Sequence, residues 1–217
     1  MEDFINKKLE KFISQFKSHQ YKKGEFILRG GDMPQGVNFL QSGFAKLSSV
    51  SAEGKELTFV IYKAGDFFPV VWSFFGKRAS IYSYEAITPA TIIRVPRQMF
   101  INFLESNTDV FMEVTKHIIR RFQESLRTME FLAFGNSRAK VASVLLRMSR
   151  SFGEEKKNGL EIQVPLTHRD IANIVGVTRE TVSIEMKKFE KEGFISNHSK
   201  LITIRNKKGL EEEAILG

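Results

Sequence analysis

Hydrophobic positions along the chain follow different rhythms in successive stretches. Near the start, apolar residues lie on one helical face and predict a short amphipathic helix; they are Phe4, Ile5, Leu9, Phe12, Ile13 and Phe16. Between residues 21 and 95, short apolar runs alternate with glycine-containing turns, which is typical of an all-β sandwich or roll. Helical spacing returns at residues 97–104 and, more strongly, at residues 109–134. The pattern therefore predicts a β-rich unit followed by helices.

The stretch 109–134 carries a single apolar seam with alternating steps of four and three residues. Its members are Ile118, Phe122, Ser125, Met129 and Leu132, with Ile119 and Leu126 beside them. A long helix with one apolar seam either lies across its own β-roll or pairs with a second copy. Gly135 is typical of a helix end and Asn136 of the next N-cap, so we expect a domain boundary there. A further amphipathic helix over 137–152 and a polar turn over 153–159 follow.

Two short helices separated by a glycine are predicted between residues 166 and 195. Thr167 and Asp170 have the spacing of a capping box at the start of the first helix, and Gly176 ends it. Thr178 is the expected N-cap of a second helix over residues 178–192. This is the pattern of a helix-turn-helix, and the alternating residues that follow predict a β-hairpin, or wing.

Composition and charge narrow the function. The chain has 217 residues, enough for two domains, and a net charge of +8. Between residues 136 and 210 there are 15 Lys and Arg residues but only 8 Asp and Glu residues, an excess that suits a polyanion. No apolar run approaches the length of a membrane span, and the first residues lack the pattern of a secretory signal, so we expect a cytoplasmic protein.

The sequence gives little support for a metal site or for redox chemistry. The absence of cysteine excludes disulfides, thiolate-held iron–sulfur clusters and cysteine nucleophiles. The four histidines are isolated in sequence and form no metal-ligand spacing, so no metal site and no catalytic residue are predicted; they are His19, His117, His168 and His198. A metal-dependent enzyme built on a β-roll would need a histidine and carboxylate cluster that this sequence lacks. A cyclic-nucleotide-regulated scaffold or kinase subunit would not need a winged helix.

The order of these motifs resembles transcription regulators of the cyclic-AMP receptor protein and fumarate–nitrate regulator (Crp/Fnr) superfamily. The resemblance rests on the roll (YKKGEFILRGGDMPQGVNFLQSGFAKL and KAGDFF), the helix end LAFGNSRAKVAS and LTHRDIANIVGVTRETVS. It implies an α+β fold with a cyclic-nucleotide-binding-like β-roll (jelly roll), a long dimerisation helix and a C-terminal winged helix-turn-helix. The expected domains are residues 1–107, 108–135 and 136–217. The expected partners are a second copy, a palindromic DNA operator and RNA polymerase.

The resemblance also implies which residues contact DNA. Arg179 would donate to guanine, Glu180 would accept from cytosine, and neighbouring hydroxyls would contact phosphate or a base edge. The full predicted set is Thr178, Arg179, Glu180, Thr181, Ser183, Ile184, His168 and Arg169. Relatives usually have a second arginine at the position of Ile184. Either Ile184 contacts a thymine methyl group, or it packs inward and nothing replaces the arginine. We expect half-sites about one helical turn apart, dependent on guanine but altered at that base pair.

The β-roll lacks the residues that hold a cyclic nucleotide in relatives. A Gly-Glu pair and an Arg-Ser or Arg-Thr pair are expected at Pro69-Val70 and Ser80-Ile81, and neither is present. Without those charged partners, a buried cyclic phosphate would be poorly compensated, so cyclic-AMP binding in the usual manner is not expected. Haem would need a histidine ligand such as His117, which has charged neighbours on the long helix. No cofactor is predicted.

Three alternatives remain for the β-roll. The first is that it binds an apolar or aromatic molecule, and the second is that it binds an anion through Arg78. The third is that it binds nothing, so that the regulator is constitutive. Aromatic residues at the density of the stretch 65–80 are more often core than pocket. The residues that would line a pocket are Phe68, Trp72, Phe74, Arg78, Ser80, Tyr82, Tyr84 and Ser125.

Overall fold

The computed structural model describes residues 6–198 and 201–214, apart from the side chain of Phe131. The chain divides into two compact units after Gln123, within one long helix. Among the described residues, no helix combines the length and apolar character needed to cross a bilayer.

The described residues of the N-terminal unit form eight strands, two short helices, a third helix and the start of the long one. Its strands are β1 (Ser18–Tyr21), β2 (Phe26–Leu28), β3 (Val37–Ser42), β4 (Ala45–Val50), β5 (Glu56–Tyr62), β6 (Phe67–Phe68), β7 (Ser83–Ala86) and β8 (Ala90–Val95). Its helices are α1 (Lys7–Ile13), α2 (Val70–Phe75), α3 (Arg97–Ser106) and the first part of α4 (Thr108–Phe134).

The strands form two four-stranded antiparallel sheets, in the orders β1-β8-β3-β6 and β2-β7-β4-β5. Glycines with positive φ lie at the turns. At Gly43 space also requires glycine, because an added Cβ would lie 2.3 Å from the carbonyl oxygen of Pro89. Two sheets joined by such turns confirm the predicted β-roll.

Helices cover one side of this roll and share a core with it. Phe39 and Phe67 stack with centroids 5.6 Å apart, and Phe100 of α3 meets Phe39 edge to face at 5.5 Å. Leu9 and Ile13 of α1 belong to the same cluster, which confirms the inward face of the predicted first helix. Phe4 and Ile5 lie outside the described residues. Burial of these large side chains is the main stabilising contribution to this unit.

The stretch that follows β6 is helical, which the sequence pattern did not predict. α2 begins after Pro69 and ends at Gly76, whose φ of 67° is left-handed. Arg97 of α3 donates to the carbonyl oxygens of Trp72 and Phe74, at 3.3 and 2.6 Å. These bonds satisfy acceptors that the end of a short helix leaves free, a long-range contribution that is invisible in the local pattern.

From residue 124 onward, the part of the chain that the structure describes forms the end of α4, four further helices and a four-stranded antiparallel sheet. The helices are α5 (Ser137–Phe152), α6 (His168–Val175), α7 (Arg179–Lys191) and α8 (Lys207–Glu213). The strands are β9 (Gly153–Lys156), β10 (Gly159–Ile162), β11 (Ile195–His198) and β12 (Leu201–Ile204), in the order β11-β12-β10-β9.

Most elements of this unit match the sequence pattern. The helix over 137–152 and the β11–β12 hairpin are confirmed, although Ser199 and Lys200 at its turn lie outside the described residues. The expected polar turn over 153–159 is instead strand β9 and the turn into β10. β9 is an exposed edge strand held by β10, so its sequence lacks the apolar alternation of a strand. The division into residues 1–107, 108–135 and 136–217 stays a prediction.

Candidate nucleic-acid interface

The first helix of the predicted DNA-binding pair begins at a complete capping box. The Thr167 hydroxyl oxygen accepts from the backbone N–H of Asp170 at 3.1 Å, and an Asp170 carboxylate oxygen accepts from the backbone N–H of Thr167 at 2.8 Å. The Thr167 hydroxyl also donates to that carboxylate at 2.6 Å. Two amide groups that a helix start leaves unpaired are thereby satisfied, and the start of α6 is fixed.

The turn between α6 and α7 is made by Gly176. Its φ of 69° lies in the left-handed region, and its N–H donates to the carbonyl oxygen of Ala172 at 2.9 Å. A Cβ added at this position would have no atom within 4 Å, so the backbone conformation, and not space, requires glycine there. Thr178 then caps α7 by accepting from the N–H of Thr181 at 3.2 Å.

One face of α7 is anchored in the C-terminal core. Val182, Met186 and Phe189 are buried, and α7 packs against α5 and α6. Glu185 lies among them and accepts from Lys188 at 2.9 Å, while its other oxygen lies 3.7 Å from Arg138. Since these residues recur every three or four positions, they fix the rotation of α7 about its axis.

The opposite face of α7 is free. Arg179, Glu180 and Ile184 are exposed. Among the described residues, no side chain or backbone group forms a hydrogen bond or ion pair with the side chains of Arg179 and Glu180. Thr181 is half-buried, and its hydroxyl lies 2.9 Å from that of Thr178. Five donor groups of the arginine and a carboxylate are thus available at the beginning of the helix.

His168 and Ser183 join the two helices. Nδ1 of His168, the first residue of α6, shares a 2.8 Å hydrogen bond with the hydroxyl of Ser183 on α7. Both residues are half-buried, so this contact leaves only part of each available to a ligand. Arg169 is exposed beside them. The eight predicted DNA-binding residues therefore occupy the starts of α6 and α7 and the outer face of α7.

The wing ends in basic residues that are partly tied to it. Arg205, just after β12, donates from Nε to the hydroxyl of Ser196 on β11 at 2.9 Å. Register pairs Ser196 with Thr203 across the hairpin. This bond holds the guanidinium of Arg205 at one end of the hairpin.

Sequence reasoning missed Arg138, which connects three helices. From the start of α5 it donates to Glu213 of α8 at 2.6 and 2.9 Å and to Glu192, just after α7, at 2.6 Å. Its guanidinium also lies 4.6 Å from the ring centroid of Phe189. The Glu213 and Glu192 hydrogen bonds raise the pKa of Arg138. Its partners are 54 and 75 residues away, so no local spacing indicated this role.

Two of the residues predicted to line an effector pocket lie in the core of the roll. Phe68 is fully buried and stacks on Tyr84, with centroids 4.8 Å apart and an interplanar angle of 10°. Tyr62 lies against Phe68 at 5.0 Å. Burial raises the pKa of both tyrosine hydroxyls. Phe68 comes from the first sheet and both tyrosines from the second, so these rings fill the space between the two sheets with the chain's own side chains.

The other predicted pocket residues have separate environments. Tyr82 is half-buried and meets Phe59 edge to face at 5.1 Å. Ser80 donates to the carbonyl oxygen of Tyr82 at 2.7 Å, and Arg78 is exposed. Trp72 is half-buried on α2, with its indole nitrogen buried and without a hydrogen-bond partner among the described residues. Phe74, also on α2, packs on the helix-covered core, and Ser125 is half-buried on α4.

A buried carboxylate at the start of β6 was also missed. Asp66 accepts from Arg121 of α4 and from the N–H of Lys63, and it lies 3.3 Å from Nε2 of His117. Burial by itself would raise the pKa of Asp66. Hydrogen bonds from His117 and Arg121, with the positive charge of Arg121, outweigh that effect and lower it. In the sequence, the signal for this buried ion pair was the triplet Gly65-Asp66-Phe67 followed by basic residues on a later helix.

Along α4 the predicted seam is partly uncovered. Phe122 and Met129 are 61% and 63% exposed, and Ile119 and Leu126 beside them are also exposed. Ile118 is half-buried and packs on the helix-covered core of the N-terminal unit, and Leu132 is half-buried. An exposed apolar row of this length is unusual on a surface that faces only water.

Comparison with known proteins agrees with both units. The family model of the cyclic nucleotide-binding domain matches residues 18–107, and that of the Crp-like helix-turn-helix domain matches residues 139–213. The first match covers the β-roll and the second covers α5 to α8. The two lie in the order that the sequence pattern predicted.

Relatives are similar over nearly the full chain. The cAMP-activated global transcriptional regulator CRP of Pasteurella multocida is 26% identical over 200 residues, which are 92% of this chain and 95% of that protein. The global nitrogen regulator of Synechococcus elongatus is 28% identical over 195 residues, 89% of this chain and 88% of that protein.

Solved structures share the fold. A CRP/FNR-family transcriptional regulator from Thermus thermophilus has a TM-score of 0.73 and 26% identity, covering 91% of this chain and 98% of that one. FixK2 from Bradyrhizobium japonicum has a TM-score of 0.80 and 19% identity, covering 93% and 98%. The matching domains, the relatives and the shared fold agree with one another. The relatives are transcription regulators and not enzymes. The chain belongs to the Crp/Fnr superfamily of DNA-binding transcription regulators.

Proposed function

We propose that the chain binds a palindromic double-stranded DNA site as a homodimer, with α7 of each copy in a major groove. The observation that carries this proposal is the pair Arg179 and Glu180, exposed at the start of a helix whose other face is anchored. Side chains at the start of a recognition helix are those that reach base edges. The basic excess of the same unit supplies the attraction to phosphate.

Each residue of the pair has a base that suits its chemistry. The guanidinium of Arg179 donates two hydrogen bonds to O6 and N7 of guanine, and the carboxylate of Glu180 accepts from N4 of cytosine. Thr178, Thr181 and Ser183 offer hydroxyls to phosphates or base edges, and Arg169 and His168 lie where α6 begins. Half-sites should lie about 34 Å apart, one turn of the duplex.

Pairing of two copies would cover the exposed seam of α4. The steps between Ile118, Phe122, Ser125, Met129 and Leu132 are those of a two-stranded coiled coil. Phe122 and Met129 lose most of their exposed apolar surface in such a pair, which favours dimerisation. A two-fold dimer matches a palindromic operator, because each recognition helix then meets an equivalent half-site.

Control by cyclic AMP in the usual manner is not part of this proposal. Pro69 is the N-cap of α2, Val70 is its first residue, and the hydroxyl of Ser80 is bonded to the carbonyl oxygen of Tyr82. None of the three offers the carboxylate or guanidinium that the ligand needs. Phe68 and Tyr84 fill the neighbouring interior. Regulation by another effector in the roll, either apolar or an anion at Arg78, and constitutive action remain the two alternatives. Titration calorimetry with cyclic AMP and cyclic GMP tests the exclusion, and micromolar binding contradicts it.

The DNA-bound dimer acts where transcription takes place. We therefore place it in the cytoplasm and expect it to contact RNA polymerase.

Selection of binding sites from random duplexes tests the DNA-binding proposal. The full chain should enrich a two-fold symmetric sequence with guanine in each half-site. Fluorescence anisotropy at fixed salt then compares wild type with Arg179→Ala on that sequence. We expect a loss of about 1–3 kcal/mol of specific binding for each half-site, since one bidentate contact is removed there.

Lys55→Ala is the matched control. Lys55 is 80% exposed in the other unit and pairs only with Glu53 among the described residues, so the variant removes one positive charge without touching α7. It should bind the selected site like wild type. Unchanged sequence preference in Arg179→Ala, or loss of binding equal to that of Lys55→Ala, contradicts the assignment of α7.

A further inference from the structure

Ile184 is an apolar side chain on the outer face of α7. The helix has four apolar residues; Val182, Met186 and Phe189 are buried, whereas Ile184 is 54% exposed. The alternative in which Ile184 packs into the core is therefore excluded. A single exposed apolar residue is ordinary on a protein surface, so its position on the helix decides its importance.

Its neighbours place it on the face that would meet DNA. Glu180 lies one turn before it and Lys187 three residues after it, and both are exposed. Lys188, the other neighbour one turn on, bonds Glu185 at 2.9 Å. Ile184 is thus an uncharged, non-hydrogen-bonding position in the same row as a residue proposed to contact a base.

The major groove offers one apolar partner for such a side chain. It is the C5 methyl group of thymine, since the other base edges present hydrogen-bond donors and acceptors. Against those edges, isoleucine would remove water without replacing its hydrogen bonds, which is unfavourable. Its branched Cβ leaves one strongly preferred rotamer in a helix, so little conformational freedom is lost on contact.

We infer that Ile184 contacts the methyl group of a thymine and makes the operator thymine-dependent at one base pair of each half-site. This inference rests on the proposed binding of α7 in the major groove. Four residues along a helix correspond to about 6 Å, and neighbouring base pairs are about 3.4 Å apart. The thymine therefore lies within about two base pairs of the base contacted by Glu180.

Replacing thymine with uracil removes that methyl group and nothing else. Each thymine of the selected half-site is changed to deoxyuridine in turn, on both half-sites together, and the dissociation constant is measured by fluorescence anisotropy. We expect one position at which uracil weakens wild-type binding about tenfold, corresponding to one buried methyl contact per half-site. Cytosine at that position should bind more weakly still, and 5-methylcytosine, which restores the methyl group, more tightly than cytosine.

Two variants assign the effect to Ile184. Ile184→Ala should bind thymine and uracil duplexes equally, whereas Ile184→Val should keep most of the difference. Both replace an exposed side chain, so folding should be unchanged, which circular dichroism checks. A thymine-to-uracil effect of the same size in Ile184→Ala, or no effect at any thymine in wild type, overturns the inference.

The outcome is separable from that of the proposed function. An Arg179-dependent site without an Ile184-dependent thymine leaves the DNA-binding proposal intact and removes only this inference. Failure to select any sequence, or indifference to Arg179→Ala, removes both.

Discussion

The guanidinium of Arg121, in the middle of α4, donates to the buried carboxylate of Asp66 at the start of β6. The two residues are 55 positions apart, and only 3% of the aspartate side chain is exposed. A charge taken out of water is stable only with such compensation. The pair therefore fastens the first half of α4 to the roll.

Asp66→Asn should destabilise the N-terminal unit by about 2–4 kcal/mol at pH 7, since it leaves Arg121 without its buried partner. The pKa of Asp66 is lower in the folded chain than its unfolded value of about 3.9. Its stabilising contribution is thus complete above about pH 4 and is lost as the pH falls through the folded pKa. Urea denaturation of both proteins at pH 7 and at about pH 2.5 should show the difference shrinking with acid.

Asp109→Asn is the matched control for this measurement. Asp109 also bonds a basic side chain, Lys8 at 2.7 Å, but both side chains are more than half exposed. Solvent screening leaves such a pair with little effect on stability. An equal loss in the two variants, or a difference at Asp66 that does not depend on pH, would contradict the role given to the buried carboxylate.

Arg138→Met should destabilise the C-terminal unit by about 1–2 kcal/mol. The substitution keeps an apolar side chain near Phe189 but removes the hydrogen bonds to Glu213 and Glu192 and the cation–π contact. The expected loss of stability is modest because the side chains of Glu192 and Glu213 are more than one third exposed, and solvent screens their pairing with Arg138. Thermal unfolding monitored by circular dichroism measures it.

Arg150→Met tests whether this loss is specific. Arg150 lies 4.0 Å from Glu211 and is 54% exposed, so its pair should contribute little. If Arg150→Met and Arg138→Met lowered the melting temperature equally, the connection of α5, α7 and α8 through Arg138 would lose its support.

Thr167→Ala should lower stability by about 1 kcal/mol, because the cap of α6 loses the side-chain acceptor for the Asp170 amide. Thr167→Ser keeps the hydroxyl and should restore most of the loss. Urea midpoints of the two variants provide the measurement. Equal midpoints for alanine and serine would show that the capping box does not stabilise α6.

Phe122→Glu should convert the proposed dimer into a monomer, because a carboxylate would have to be buried in the paired seam. Sedimentation equilibrium at micromolar concentration would detect the change. Gln123→Glu, which adds the same charge one position away on an exposed side chain, should remain dimeric. A monomeric wild type, or dissociation of both variants, would exclude pairing along this seam.

Local sequence determined the elements of the DNA-binding pair. The capping box at Thr167, the left-handed turn at Gly176 and the N-cap at Thr178 each depend on contacts within four residues, so spacing was sufficient to predict them. The glycine-punctuated roll and the seam of α4 were predictable for the same reason, since period and turn chemistry are local properties.

Tertiary structure decided what local spacing left open. Whether Phe68 is core or pocket depended on Tyr62 and Tyr84, which reach it from other strands. The orientation of Ile184 depended on which face of α7 the core takes, and the roles of Asp66 and Arg138 on partners 54 to 75 residues away. A helix or turn is specified by neighbours along the chain, whereas burial and pairing are specified by whatever the folded chain brings against a side chain.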